Sequence, residues 1–271
     1  MADRETVLVV VDPNENDHVA FERAILTAPL RSLPPKLFVM VTTDRSSIDS
    51  SATNDNLYRS ANWFTEEIRK PLDECGLSYE IEVCWSHEWQ QSILRTADRI
   101  KADEIFLPMH TKPYVQRLSF SESKWELFRS AQCPVILVRP NTVMKRKTIL
   151  AAVNFQATSP EQKLLNKKIL ARGHWVAKGY GAQLHVVNGY MDSMHYPDRG
   201  KLANESQLPG EKIHVLQGYT DDVVSQVARD INADVVILGT LGQNGRAKSR
   251  RGNTAERVIS AINADAVIIN A

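Results

Sequence analysis

Short apolar runs alternating with helical periods organise this chain. Runs near 7–11, 36–41, 79–84, 104–108 and 134–138 predict five strands in the first half. Runs near 148–153, 183–187, 212–216, 234–238 and 265–269 predict five more. Strands interleaved with helices in this way indicate an α/β fold with a parallel sheet and crossover helices. Between residues 53 and 76, Leu57, Ala61, Phe64, Ile68 and Leu72 recur every three or four positions, which predicts a helix stopped by Gly76. Trp89, Ile93, Leu94, Ala97 and Ile100 mark another. In the second half, Ser159, Pro160 and Gln162 stand as N-cap, first helical residue and capping-box partner. The segment "GYMDSMHYPDRGKLANESQLPG" is rich in turn formers, so the helix expected there is lost or shortened.

The chain repeats itself. "LRTADRIKADEIFLPMHT" from Leu94 aligns with "VARDINADVVILGTLG" from Val227: a helix, an Ala-Asp pair, then a strand. "SAQCPVILVRP" from Ser130 aligns with "SAINADAVIIN" from Ser260, and "VLVVVDPN" from Val7 with "TILAAVNF" from Thr148. Two copies of one unit therefore fill the chain, with domains expected at 1–140 and 147–271. "RPNTVMKRKT" from Arg139 reads as the short polar linker between them.

Composition narrows the functions available. At 271 residues and 43% hydrophobic, the chain has apolar material for two cores. Lys plus Arg number 33 and Asp plus Glu 32, so no global field draws it to nucleic acid or an anionic membrane, and any anion site is local. Three cysteines make no disulfide scaffold or zinc pattern, which suits a reducing cytoplasm. "MADRETVLVVVDPNE" lacks the features of a signal peptide, and no segment approaches the ~18 to 20 apolar residues of a membrane span. A soluble, cytoplasmic protein is expected.

The candidate chemistry lies in "VVILGTLGQNGRAKSRRGNTAERVI", residues 235–259. It is neither a Walker A loop, for which no G-x4-G-K-[ST] string exists, nor a Rossmann fingerprint, since Gly239, Gly242 and Gly245 are spaced three apart and follow a fourth strand. Glycines at 239 and 242 let a backbone approach a ligand or take positive φ. At Gly252, Asn253 and Thr254 the chain enters a helix, whose first amides and dipole favour an anion such as phosphate. Arg246, Lys248, Arg250 and Arg251 add local positive charge. A plainer reading stands beside this one: Asn253 with Glu256 makes an ordinary capping box, and Gly252 a turn.

Of the 12 glycines only Gly76 lies in the first copy. Its matching loop, "LPMHTKPYVQRLSFSESKW", has Pro108 in place of Gly239 and His110 and Thr111 near the place of Gly242. Proline lacks an amide hydrogen, so only the second copy keeps a ligand-holding loop.

The spacing Gly239-x2-Gly242-x9-Gly252, with the repeated strand order, resembles the universal stress protein family, in particular a tandem-domain branch. The resemblance implies two tandem five-stranded parallel-sheet domains in 3-2-1-4-5 order, of the universal stress protein or adenine nucleotide alpha hydrolase-like type. It also implies that the fifth strands pair across the domains as a pseudo-dimer within one chain. It implies ATP or another adenine nucleotide in the second domain, a role in stress response, and no dedicated catalysis. The residues concerned are Asn154, Val186, Gly239, Thr240, Gly242, Arg251, Gly252, Asn253 and Thr254, with Val186 against the adenine. Two departures weaken the match: Asn154 stands where nucleotide-holding members have Asp, which here survives as Asp12 in the first copy, and Asn253 replaces a serine.

Other chemistries find less support. Cys84 and His87 could offer two metal ligands, but no cluster supplies two more. His110, His185, His195 and His214 are scattered and neighbour no nucleophile motif, His185 reading as a core residue inside a strand. Trp63, Trp85, Trp89, Trp125 and Trp175 read as packing residues, since no basic stripe accompanies them. A slow ATP phosphohydrolase lacks a visible base or metal-holding carboxylate in the loop. The main alternative is a scaffold that binds no nucleotide and uses the first domain to dock a protein or an apolar ligand.

Overall fold

The computed structural model describes residues 4–42, 60–84, 86, 88–109, 122–140, 143–241 and 254–271. They fall into two compact units, residues 1–110 with 131–140, and residues 111–130 with 141–271.

The first unit contains β1 (Thr6–Val11), α1 (Val19–Thr27), β2 (Lys36–Thr42), a helical run α2 (Ala61–Trp63, Phe64–Arg69, Lys70–Glu74), β3 (Ser78–Cys84), α3 (Trp89–Ile100), β4 (Glu104–Pro108) and β5 (Val135–Val138). Its strands are all parallel in the order β3-β2-β1-β4-β5. The second contains α4 (Glu122–Ser130), β6 (Thr148–Ala152), α5 (Pro160–Tyr180), β7 (Gln183–Tyr190), α6 (Arg199–Ser206), β8 (Ile213–Gln217), α7 (Thr220–Asp230), β9 (Val235–Thr240), α8 (Thr254–Ala261) and β10 (Asp265–Asn270). Its parallel order, β10-β9-β6-β7-β8, is the same sequence of local strands. The central strands are apolar throughout because both faces are covered: Val7 to Val11 and Val235 to Leu238 are buried without a break.

Two elements differ from simple periodicity. In α2 the middle stretch, Phe64–Arg69, is a π-helix, with Lys70 N–H bonded to Thr65 O five residues back. Pro71 explains it: a proline has no amide for the carbonyl four residues earlier, and a widened turn makes room for its ring. The turn-rich segment after β7 holds two 3-10 turns, Ser193–His195 and Gly210–Lys212, and the eight-residue α6.

The repeated Ala-Asp pair has a physical reason. α3 and the helix before β9 both end on a left-handed residue, Lys101 (φ 52) and Asn232 (φ 49). The following alanine then bonds back, Ala102 N–H to Ala97 O and Ala233 N–H to Ala228 O, each at 2.8 Å. Next, the aspartate's main chain and carboxylate grip the first strand of the unit. Asp103 N–H reaches Thr6 O at 2.8 Å and Asp103 Oδ2 accepts from Thr6 N–H at 2.8 Å. Asp234 N–H reaches Thr148 O at 2.9 Å while Asp234 Oδ2 accepts from Lys147 and Thr148 N–H at 2.6 and 2.9 Å. Each pair thus stops a helix and sets the register of the next strand. Lys101 bears the left-handed strain without glycine's freedom. Lys101→Gly is therefore expected to stabilise the first unit by about 0.5 to 1 kcal/mol, read as a higher urea midpoint.

The linker expected from Arg139 onward is less solvated than its composition implies. Arg139 and Arg146 are both buried. Arg146 pairs with Asp265, itself fully buried, and its guanidinium lies 5.3 Å from the centre of the Tyr180 ring.

Candidate functional site

In the second unit the two central strands part at their C-terminal ends. β6 and β9 pair only from Ile149–Val235 to Ala151–Ile237. Beyond that point β9 continues against β10 through Gly239–Ile269 and Thr240–Asn270. β6 stays instead with β7, Val153 N–H bonding Val187 O at 3.0 Å. The strand order reverses between β6 and β9, and this is the place where open α/β sheets take ligands. The first unit divides likewise, β1–β4 pairing ending at Val9–Phe106 while β1 follows β2 to Val11 and β4 follows β5 to Pro108.

The segment leaving β6 is held by amide side chains. Asn154 N–H donates to Asn166 Oδ1 at 3.1 Å, and Asn166 Nδ2 donates to Asn154 O at 2.8 Å. Phe155 N–H donates to Asn188 Oδ1 at 2.8 Å; Asn188 Nδ2 donates to Gln156 Oε1, and Gln156 Nε2 to Gly189 O, both at 2.8 Å. Asn166 and Asn188 are buried. With its main chain clamped, Asn154 keeps its own Oδ1 buried and, among the described residues, without a hydrogen-bond partner. An acceptor left so carries a desolvation penalty of about 1–3 kcal/mol, which a ligand hydroxyl or amine would relieve. The capping box expected at α5 is half made: Ser159 Oγ accepts from Gln162 N–H at 3.2 Å, but the Gln162 side chain donates to Asn166 Oδ1 instead.

The other anticipated site residues behave differently from one another. Gly239 lies inside β9, not in a loop after it, and is not among the positive-φ glycines. A Cβ there would sit 2.6, 2.7 and 2.8 Å from Cδ2, Cγ and Cδ1 of Leu165 on α5. The glycine is thus required by the helix packed on the strand. Val186 is fully buried in β7. Thr240 is half-buried at the end of β9, its carbonyl accepting from Ala271 N–H at 3.2 Å. Thr254 is exposed and opens α8, which is tied to α7 by Arg257 and Asp221 at 2.8 Å. Gly242, Arg251, Gly252 and Asn253 lie outside the described residues, as do Arg246, Lys248 and Arg250.

In the first unit Asp12, the counterpart of Asn154, spends its carboxylate on its own turn: Oδ1 accepts from Asn14 N–H at 2.9 Å and from Asn14 Nδ2 at 3.1 Å. His110 and Thr111 lie outside the described residues, and so do His87 and Trp85. Among the described residues no group of three or more metal-ligating side chains occurs. Burial drives the Cys133 thiol up to about 12, so it stays protonated near neutral pH. Trp89 and Trp125 are buried, Trp63 packs edge-on against His18 and Phe64, and Trp175 stacks under Arg172.

The histidines are not all scattered: His185 on β7 and His214 on β8 meet at 3.0 Å. Their places on strands adjacent in a parallel sheet were the available signal. For Asn166 the signal was a polar residue on the apolar face of α5, among Leu165, Ile169 and Leu170.

The sequence profile of the Universal stress protein family matches residues 3–139 and 192–270. The chain belongs to the universal stress protein family. It is 25% identical to "Universal stress protein E" of Salmonella typhi and of Escherichia coli K12, in each case over 99% of this chain and 95% of the relative. In fold it is similar to a Pseudomonas aeruginosa UCBPP-PA14 chain named as a universal stress protein, with a TM-score of 0.81, 22% identity and coverage of 98% of this chain and 93% of that one. The two matched segments and the two sets of parallel strands make this a tandem member of the universal stress protein family. No helix among its described residues is long and apolar enough to cross a membrane.

Proposed function

We propose that the second repeat of this universal stress protein holds ATP or a related adenine nucleotide between the C-terminal ends of β6 and β9, and that it acts in the cytoplasm by binding, without dedicated catalysis. The domains are taken as 1–140 and 147–271. The observation that carries the reading is the buried, unpartnered Oδ1 of Asn154 at the strand end where the sheet order reverses. Thr240 and Thr254 flank the segment whose Gly242, Arg251, Gly252 and Asn253 would receive the phosphates, together with the N-terminus of α8. Val186 and Gly239 support the site from behind, as packing. The adenine class rests on the family resemblance.

The test is mass spectrometry of small molecules released on denaturing the purified protein, with ATP titration calorimetry. Wild type is expected to release or bind an adenine nucleotide. Asn154→Leu weakens binding about 10- to 100-fold, the range set by one lost hydrogen bond at a buried acceptor, and Gly242→Val abolishes it. No adenine compound released, and no heat with ATP, ADP or AMP, would leave the scaffold reading in its place.

A further inference from the structure

The second unit carries a titratable cluster that nucleotide binding leaves unused. His185 Nδ1 lies 3.0 Å from His214 Nε2, with ring centroids 5.3 Å apart and planes 16° from parallel. On the far side of His185, Lys212 Nζ lies 3.4 Å from Nε2 and also donates to Gln183 Oε1. One proton arrangement satisfies the whole row. The ammonium donates to His185 Nε2, so that ring carries its proton on Nδ1 and donates it to His214 Nε2. A proton added to His185 would turn Nε2 into an N–H facing the ammonium. A proton added to His214 would set two N–H groups head to head.

We propose that this row is an acid-sensitive latch, holding the edge strand β8 on β7 at neutral pH and releasing it as the two rings take up protons. Among the described strands β8 pairs on one side only, with β7, and it is largely half-exposed, Ile213 being its one buried residue. Its release leaves the central strands β6 and β9 in place. Asp230, at the end of α7, also acts on the pair: it favours a proton on His214 and opposes Lys212.

Burial first, then Lys212 and His214, hold the His185 ring down at about 4. Burial also lowers His214. A solvated histidine titrates near ~6.5. A lowered value in the closed state means the open state binds more protons between these limits. The latch is therefore intact above pH ~6.5 and loses stability as pH falls from there toward 4. His185 alone raises the opening equilibrium about 30-fold at pH 5.

The test is amide hydrogen exchange of the full chain at pH 7.5 and 5, corrected for intrinsic rates. Residues 213–217 are expected to lose about 30-fold in protection, β6 and β9 to keep theirs, and the double variant His185→Gln, His214→Gln to lose the pH dependence. Imidazole nitrogen NMR of the wild type is the second measurement, and it decides alone where the variant does not fold. It should find His185 neutral and protonated on Nδ1 at pH 5.5. A His185 midpoint at or above 6, an equal pH effect in the folded variant, or acid loss of protection shared by all strands overturns the latch.

Discussion

Asp265→Ala is expected to lower the stability of the second unit by about 3–5 kcal/mol, because it strands a buried cation. Arg146 is only 4% exposed and its partner Asp265 is fully buried. Tyr180 covers the guanidinium, and Arg146 Nε has no hydrogen-bond partner among the described residues. Removing the carboxylate leaves a buried charge without its ion-pair partner, and the Tyr180 ring face offsets only part of the cost of taking it out of water. Replacing both partners with apolar residues of similar volume, Arg146→Met with Asp265→Leu, is expected to cost far less than the single change, since the desolvation penalty leaves with the attraction. Urea unfolding followed by circular dichroism measures all three. A double variant as unstable as Asp265→Ala would show that Asp265 acts through its other contacts, not through Arg146.

The strands were legible because burial on both faces of a parallel sheet leaves little freedom in composition: Val7 to Val11 and Val235 to Leu238 could hardly be anything else. The Ala-Asp pair was visible as a repeat, but its cause was not. The bonds from Asp103 to Thr6 and from Asp234 to Thr148 span 97 and 86 residues, a distance at which no local pattern operates. The π-turn in α2 was recoverable in principle from Pro71, whose missing amide any regular helix must accommodate. The buried Arg146 was hidden by its company, since "KRK" reads as a solvated run until Asp265 is brought beside it.

The candidate site was legible in a different way. Glycine spacing pointed to the segment after β9, and the strand order pointed to Asn154, which follows β6 where β6 and β9 part. What the sequence could not convey was the division of labour around them. Asn166 and Asn188 fix the chain leaving β6 through side chains that, taken singly, look like ordinary polar residues of a helix and a strand. Asp12 and Asn154 occupy equivalent places, yet one satisfies itself with Asn14 and the other is left unsatisfied. That difference depends on whether an Asx turn forms two residues later, which in the second copy Phe155 and Gln156 replace with bonds to Asn188 and Gly189.

The role assigned to Gly239 can be separated from ligand contact by a mutant cycle. Gly239→Ala is expected to cost about 1–3 kcal/mol through overpacking, since its Cβ would meet three atoms of Leu165, a side chain only 2% exposed. Leu165→Ala alone is expected to cost about 2–5 kcal/mol through the cavity it leaves. In the double variant the new methyl enters that cavity, so the cost should fall below the sum of the singles by at least ~1 kcal/mol. Thermal or urea unfolding gives the stability side of the cycle. The nucleotide side gives the discrimination: with Leu165→Ala as the background, adding Gly239→Ala should leave ATP affinity unchanged, whereas a glycine needed for close approach of the ligand would lose affinity in either background. Additive stability costs with a falling affinity would return Gly239 to the binding surface, and would mean that Leu165 yields more readily than its burial implies.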